Sequence, residues 1–454
     1  MHKLLIPLAT LIMTLPVYSA SDSGSGLSDN PTPYLSDADL PTRTPPLLEL
    51  GADFLGTGNL KPGFRIPTGA VWQPRFWLYG TQRTAIQTFD NGTGPASTEW
   101  MNRLDLFGNL QLTGTERVLI GITPLHDEAD FSGQVFSPDS QDGFRNNLNY
   151  NIQTLFFEGD LAELFPKWDY QDSTSNDIGF SVGRQGINFQ DGMLIADALD
   201  GFGLSRNNIR FEGVPWLVSM RSTFFFGWGD IHRNDNFEDK DANLFGLFTQ
   251  LDTLKSTINV DVVYVESSAE GDLLSAAIDS IQRIGKLNTT FRIAASTAPG
   301  RKSAKADDGI LLFSEVSWVP AYSHDNVYLN AFVSIDNFTS PAREPQSGGP
   351  LGRTGLLFAA PGIGNVTPAI ANRTGDSVGL IAGYQKFFKS RRQLVMEIGG
   401  RVGDDNEQND SIGAAIRFQQ AIGRRIVAGL NAYVSDSDVI GTRYGLRGEI
   451  LIKY

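Results

Sequence analysis

The chain is 454 residues long and carries 51 acidic against 37 basic side chains, a net charge of −14 that excludes nucleic acid as its partner. It has no cysteine, which excludes a disulfide scaffold, a cysteine-ligated zinc and c-type haem attachment. Only 41% of it is hydrophobic, yet aromatics make up 11% and there are 48 glycines. That mixture is expected where strands are apolar on one face, turns are many and aromatics gather at two interfaces.

Met1-His2-Lys3 is a short basic start, and Leu4 to Leu15 is an apolar stretch interrupted by Pro7, Thr10 and Thr14. Pro16-Val17-Tyr18-Ser19-Ala20 then offers small residues for cleavage after Ser19 or Ala20. Residues 1–20 read as a secretory signal peptide, too short and too broken for a membrane helix. No cysteine follows to carry a lipid anchor, and no later run of about 18 apolar residues spans a membrane. If the exported protein enters a membrane, it does so as a barrel.

Residues 21–70 are rich in Ser, Asp, Gly and Pro, and Pro31, Pro33, Pro41, Pro45 and Pro46 work against a sustained helix or strand. The segment reads as an extended periplasmic arm, too short to be the globular plug of a large energy-coupled importer. From about Val71 the text changes to alternating runs separated by turn residues, so 71–454 is read as the barrel.

Trp100, Leu104, Leu106, Leu110 and Leu112 oppose Arg103, Asp105, Asn109 and Gln111. Leu148, Tyr150, Ile152 and Phe156 oppose four polar residues between Asn147 and Gln153, and Trp216 to Trp228 alternates against Ser219, Arg221 and Thr223. Further on, Leu394 to Val402 opposes Gln393, Glu397 and Arg401; Ile412 to Phe418 opposes Arg417 and Gln419; Ile426 to Val434 opposes Arg425 and Asn431. The last run is the clearest. Tyr444, Leu446, Gly448, Ile450, Ile452 and Tyr454 share one face, and Arg443, Arg447, Glu449 and Lys453 the other. From Tyr444 to Tyr454 the extended chain spans roughly 33 Å, which at a tilt of about 40° covers the ~25 Å apolar band of an outer-membrane barrel. A terminal aromatic on such a strand is similar to the C-terminal signal through which the barrel-assembly machinery handles outer-membrane proteins.

These runs predict a closed antiparallel transmembrane β-barrel of about 18 strands, with 16 possible because the strands near 206–213 and 273–285 are the weakest. Short turns near 113–116, 252–255, 285–288, 320–325, 388–392 and 421–424 alternate with longer links near 89–99, 126–146, 188–205, 229–242, 299–308, 337–375 and 403–410. Short periplasmic turns and long external loops give that asymmetry, and parity places both termini in the periplasm. The expected surroundings are outer-membrane lipid and lipopolysaccharide. The acid of 403–410 and 436–438 reads as solvated loop, with divalent-cation bridging to lipopolysaccharide phosphate as the alternative.

Sorting charges by strand face puts Arg103, Arg210, Arg221, Arg292, Arg401, Arg417, Arg425, Arg443 and Arg447 toward the lumen, against Asp105, Glu212, Asp261, Glu315, Glu397 and Glu449. A wide barrel needs a polar lumen merely to hold water, but the excess of arginine leans toward attracting anions. Arg401, Arg417, Arg443 and Arg447 are expected to form one positive ladder. Two links are candidates for narrowing the pore: 337–375, apolar at Gly355-Leu356-Leu357-Phe358-Ala359-Ala360-Pro361, and 188–205, read as a short helix or in-folded loop.

Phe156-Phe157-Glu158-Gly159, a turn, then Ile178-Gly179-Phe180-Ser181-Val182-Gly183-Arg184-Gln185 and an Asp-containing stretch resemble the alginate-export porin family over roughly 147–230. The resemblance implies an 18-stranded barrel with an arginine-rich lumen that passes an anionic polysaccharide, and by its place in Gly-Arg-Gln it implicates Arg184. Arg184 is in register with Ile178, Phe180 and Val182, so it lies beyond a bulge or points to lipid at the rim. Enzymatic chemistry finds no footing. His126, His232 and His324 stand in links without a Ser-centred motif, no catalytic or metal-ligand set forms, no stretch has EF-hand spacing, and no cofactor is implied. The expectation is a passive outer-membrane channel for hydrophilic, anionic solutes. The alternatives are export of an acidic exopolysaccharide and a non-conducting structural or adhesive barrel.

Overall fold

The computed structural model describes residues 44–51, 62–168, 177–403 and 410–454. The signal peptide, most of the Pro-rich arm and the acidic stretch 404–409 lie outside the described residues. Eighteen strands form one closed antiparallel barrel. They are β1 (Arg75–Asp90), β2 (Ser97–Gln111), β3 (Arg117–Ile122), β4 (Ile152–Asp160), β5 (Ile178–Phe189), β6 (Ile195–Ile209), β7 (Leu217–Trp228), β8 (Asn243–Thr253) and β9 (Ser256–Glu266). The second half runs β10 (Leu273–Ile284), β11 (Leu287–Thr297), β12 (Gly309–Trp318), β13 (Asn326–Asp336), β14 (Ser377–Lys389), β15 (Arg392–Gly403), β16 (Ser411–Ile422), β17 (Ile426–Ser437) and β18 (Gly441–Lys453). Each pairs with its sequence neighbour, and β18 closes the ring on β1 with Tyr444 opposite Asp90 and Lys453 opposite Thr81. No helix among the described residues is long and apolar enough to cross a membrane.

Alternation sets which face of each strand meets lipid. Ile398, Val402, Ile412, Leu430, Leu446 and Ile450 are exposed on the outer wall, while Glu397, Arg401 and Arg443 from the same strands are buried inside. Trp100, Trp216, Trp228 and Tyr444 are exposed near strand ends, where amphipathic rings serve as interfacial anchors. Such a closed, apolar-skinned barrel satisfies its backbone internally and leaves no edge, as a fold that spans a membrane with strands must.

Two departures from the sequence reading concern links. The stretch 188–205 is mostly strand: β6 begins at Ile195, and only 190–194 forms the link, with Gln190 and Asp191 at positive φ and Gly192 completing the turn. Asp191-Gly192 is turn chemistry, but Ala198, Gly201 and Gly203 that follow are small residues on a strand, which weakened its signature. The strand expected near 206–213 therefore starts and ends earlier, and Asn208 at φ 55° marks its irregular end. The arm, expected to be extended and free of any sustained strand, contributes a three-residue strand, Leu48–Leu50, that pairs with Phe76–Leu78 of β1 just beyond the end of β18. Thr44 donates to Arg424 O at 2.7 Å, tying the arm across the seam.

The 337–376 link is the central fact of the interior. It runs inside the barrel, where Leu351, Leu357, Phe358 and Ile370 are fully buried and pack with Phe332 and Phe338. A parallel pairing of Ala342–Arg343 with Ile195–Ala196 joins it to the 190–194 turn. This apolar packing toward the long-loop end gives the loop one position, since its large side chains find burial only there.

Candidate functional site

The in-folded loop is held from several sides by wall residues. Asn330 donates to Thr354 O at 2.9 Å, and Glu397 accepts from Leu357 N at 3.2 Å and from Tyr328 Oη. Arg401 donates to the carbonyls of Ala371 and Arg373 at 2.7 and 2.9 Å and to Ser377, and Arg443 donates to Ala369 O. The carbonyls of Ala369, Ala371 and Arg373 lie in a stretch of the loop without regular structure, so their pairing with charged donors satisfies groups that burial would leave bare.

The remaining interior charges fall on two walls. One is made by β1, β2 and β16–β18. There Arg83 forms a bidentate pair with Glu449 at 2.7 and 3.0 Å and reaches Pro361 O and Gly362 O, both at 3.2 Å. Arg103 pairs with Asp105 at 3.0 Å, donates to Gly362 O at 3.2 Å and binds Gln346 of the loop. Arg447 lies 3.5 Å from Glu449, and Arg417 donates to Asn431 at 2.8 Å. Four guanidiniums thus face Asp105 and Glu449, with buried Glu99 of β2 bonded instead to Gln87 and to Asn365 of the loop. The other wall, from β9 to β13 with β15, carries Asp261, Asp279, Glu315 and Glu397. Arg292 sits there, fully buried, bonded to Asp191 at 2.8 Å, Asp279 at 3.0 Å and Gln190 at 2.8 Å, with its guanidinium 5.8 Å from the Phe313 ring. Arg353, on the loop, pairs with Glu315 at 3.1 Å.

Open space lies on both sides of the loop. Toward the end that carries the short turns is a cavity of about 1000 Å³, bordered by Lys255, Arg283, Glu315, Tyr328, Arg353 and Glu397. A second, of about 320 Å³, takes in Arg221, Asp261 and Asp279. Toward the long loops is one of about 550 Å³, bordered by Asn91, Asp130, Arg145, Asn147 and Asn365. Wall and loop meet at a junction outside the lining of these cavities, where Arg83 and Arg103 both bond Gly362 O and Arg103 bonds Gln346. The tip of the short hairpin 126–131 joins this junction, because Gln346 donates to Glu128 O at 2.7 Å.

The expected ladder is corrected in its makeup. Arg401, Arg417, Arg443 and Arg447 all face inward, but Arg401 and Arg443 are consumed by loop carbonyls, and Leu356, Ala359 and Pro361 of the loop lie over Arg417 and Arg447. Arg210 and Glu212 lie in the exposed turn beyond β6, because the strand becomes irregular after Arg206 and ends at Ile209; neither is on a lumen face. Arg425 is in the turn before β17 and donates to Pro45 O at 3.3 Å. Arg221 is exposed to the interior and bonded to Gln250 at 2.6 Å. Arg184 faces outward: its neighbour Gln185 is buried on the inner side, and Arg184 pairs without a bulge opposite Asp200, 3.1 Å away. Arg83 escaped the sequence reading, as did the loop's Arg343, Arg353 and Arg373. Only the alternation of Arg83 with exposed Ile86 and buried Ala85 and Gln87 would have found the first.

His232 is buried, not solvated as a loop histidine usually is. Its Nδ1 is 2.9 Å from Asp197 Oδ1, its backbone N–H donates to Asp197 Oδ2 at 3.0 Å, and its Nε2 is 3.7 Å from Glu128. Burial alone would lower the imidazole, but the hydrogen bond and charge of Asp197, with Glu128 and Glu238 nearby, hold it above its ordinary value. Burial, with Arg103 close by, pushes His126 down to about 4.

No family model matches this sequence, and no curated protein does. The fold does match solved structures. The outer membrane protein OpdK of Pseudomonas aeruginosa superposes with a TM-score of 0.56 over 83% of this chain and 98% of its own, at 11% identity. OccK2 (OpdF) of the same organism gives 0.56, over 83% and 97%, at 11% identity. OccAB2 of Acinetobacter baumannii gives 0.53, over 84% and 98%, at 10% identity. The fold is that of the outer-membrane porins. These neighbours are Occ-type barrels and do not support the finer alginate-export resemblance drawn from 147–230.

Proposed function

We propose that this protein is a passive outer-membrane channel for small hydrophilic anions, drawn in by the field of the interior wall that carries Arg83 and Arg103. The observation that carries the reading is the charge of that wall, where Arg83, Arg103, Arg417 and Arg447 outnumber Glu99, Asp105 and Glu449. Low-dielectric walls focus such a field, and fixed donors replace part of a carboxylate's hydration. Structures of two of the similar barrels were determined with carboxylates, OpdK with vanillate and OccK2 with glucuronate, which agrees with this solute class. The long-loop end is then external and the termini are periplasmic. Loop 337–376 occupies so much of the interior that a small solute suits the passage better than the acidic polysaccharide of the export reading. No catalytic step enters this account.

Planar-bilayer recording in a salt gradient tests it. The wild-type barrel should conduct with a reversal potential on the anion side, and Arg83→Glu with Arg103→Glu should move it to the cation side while heat-modifiable migration persists. A barrel that inserts without conducting would leave the structural or adhesive reading in its place.

A further inference from the structure

We propose a second anion site in this barrel, off the passage: a pocket between the in-folded loop and strands β16–β18 that binds a small inorganic anion of halide size. The pocket has a volume of about 60 Å³. Leu356, Ala359, Pro361 and Ala369 of the loop form one side, and Arg417, Asn431, Tyr433 and Arg447 of the wall form the other. The space accommodates a halide and excludes anything as large as a sugar acid.

Charge and hydrogen bonding call for an anion there. Arg447 Nε and Nη1 are buried without a hydrogen-bond partner among the described residues. The nearest acid is Glu449, 3.5 Å from Nε, and both its oxygens are already committed to Arg83. Arg417 spends its Nε on neutral Asn431. The next carboxylate, Glu397, is bonded to Tyr328 and to Leu357 N. Arg83, Arg417 and Arg447 therefore face two carboxylates, Glu449 and Glu397, and one positive charge is left unmatched within a largely apolar enclosure. A buried guanidinium with idle donors is costly, and a bound anion relieves both the charge excess and the unmade hydrogen bonds. Water would meet the donors but leave the charge.

The wall is shaped for this. Gly445 lies under the Tyr433 ring, too close to allow a side chain at that position, so the ring lies flat on β18 beside Arg447. Because the loop forms half of the pocket, an anion held there binds loop to wall and stabilises the docked state by mass action. This role does not depend on which solute crosses the barrel.

The test uses the whole barrel in detergent, with sodium bromide exchanged against sodium gluconate at constant ionic strength. Bromide should raise the thermal unfolding midpoint saturably, by about 2 °C or more, and Arg447→Gln should abolish the rise. Crystals grown in bromide should show an anomalous peak in contact with Arg447 Nε and Nη1. Equal bromide responses in wild type and Arg447→Gln would overturn the site, as would a pocket holding only water in the bromide crystals. If Arg447→Gln fails to fold, Asn431→Leu, which shrinks and dries the pocket, serves instead with the same criterion. The selectivity of Arg83→Glu with Arg103→Glu is read separately, so failure of the passage and failure of this site are distinguishable.

Discussion

Arg292 and Arg83 both look inward from a barrel strand, yet they do different work. Arg292, on the acidic wall, is fully buried between Asp191 and Asp279, with Gln190 and the Phe313 ring completing its surroundings. Its charge is more than matched, and its effect is to pin the 190–194 turn inside the barrel. Arg83 shares Glu449 with Arg447 and leaves the opposite wall with a surplus of positive charge. A count of arginines on lumen faces treats the two alike. What decides whether an arginine builds the barrel or its field is the number of carboxylates within reach, a property of the folded wall and not of the strand.

The largest effect should follow from breaking the matched side. Arg292→Met removes the charge partner of Asp279, which is itself buried, and leaves that carboxylate with Asn259 alone. Loss of one member of a buried pair typically costs about 3–5 kcal/mol, so the temperature of heat-modifiable migration should fall sharply. Adding Asp279→Asn should recover much of the loss. An Arg292→Met barrel as stable as wild type would show that the acidic wall does not depend on matching.

The contrast between the walls also marks how far the sequence was legible. Period-2 alternation is local, so β15 to β18 could be read residue by residue, and the count of such runs led to about 18 strands, with the short-turn, long-loop parity requiring an even number. Alternation also gave the inward faces of Arg401, Arg417, Arg443 and Arg447. It could not give their partners. Arg401 meets the carbonyls of Ala371 and Arg373, and Arg443 that of Ala369, because a distant link folds inside and brings its bare backbone to them. The apolar run 355–361 did announce that the link seeks burial. The 190–194 turn was misjudged in extent because Asp191-Gly192 looks like the start of a long loop, while the strand after it is thinned by Ala198, Gly201 and Gly203. Arg83 was missed because β1 mixes Thr81, Arg83, Ala85 and Gln87 on one face, too irregular a set to stand out.

A smaller effect should come from the roof that the two walls share. His232 ties the 229–242 link to Asp197 of β6 and faces Glu128 on the 126–131 hairpin, with Glu238 and Glu344 also close. Its folded-state value is raised above the ordinary 6.5, so the contribution of the charged imidazole is present in full below that pH. It is lost as pH rises through the raised value. Single-channel records from about pH 5 to about pH 8 should therefore show quiet currents at the acid end and more frequent loop fluctuations at the alkaline end. His232→Asn should flatten this profile while leaving the reversal potential where it was. Fluctuations that grow toward acid would contradict the sign of the argument.

The smallest effect belongs to Arg184, which the family resemblance would have placed among pore-lining residues. In the barrel its side chain lies on the outer face, 3.1 Å from Asp200 and 3.7 Å from Asp230, and Gln185 beside it takes the inward position. A charge on that side of the wall is separated from the passage by the sheet itself, so it contributes nothing to the field that a permeating anion meets. Arg184→Gln should leave conductance and reversal potential unchanged in the same salt gradient that reports on Arg83 and Arg103. The pair with Asp200 is partly solvated, and its loss should cost no more than about 1 kcal/mol. A shift in selectivity as large as that of Arg103→Glu would mean that β5 runs in the opposite register, with Gln185 to lipid and Arg184 to the lumen. The inward series Gln185, Ile187 and Phe189, with Ile187 and Phe189 packed against the interior core and Phe189 stacked on buried Phe248, stands against that register.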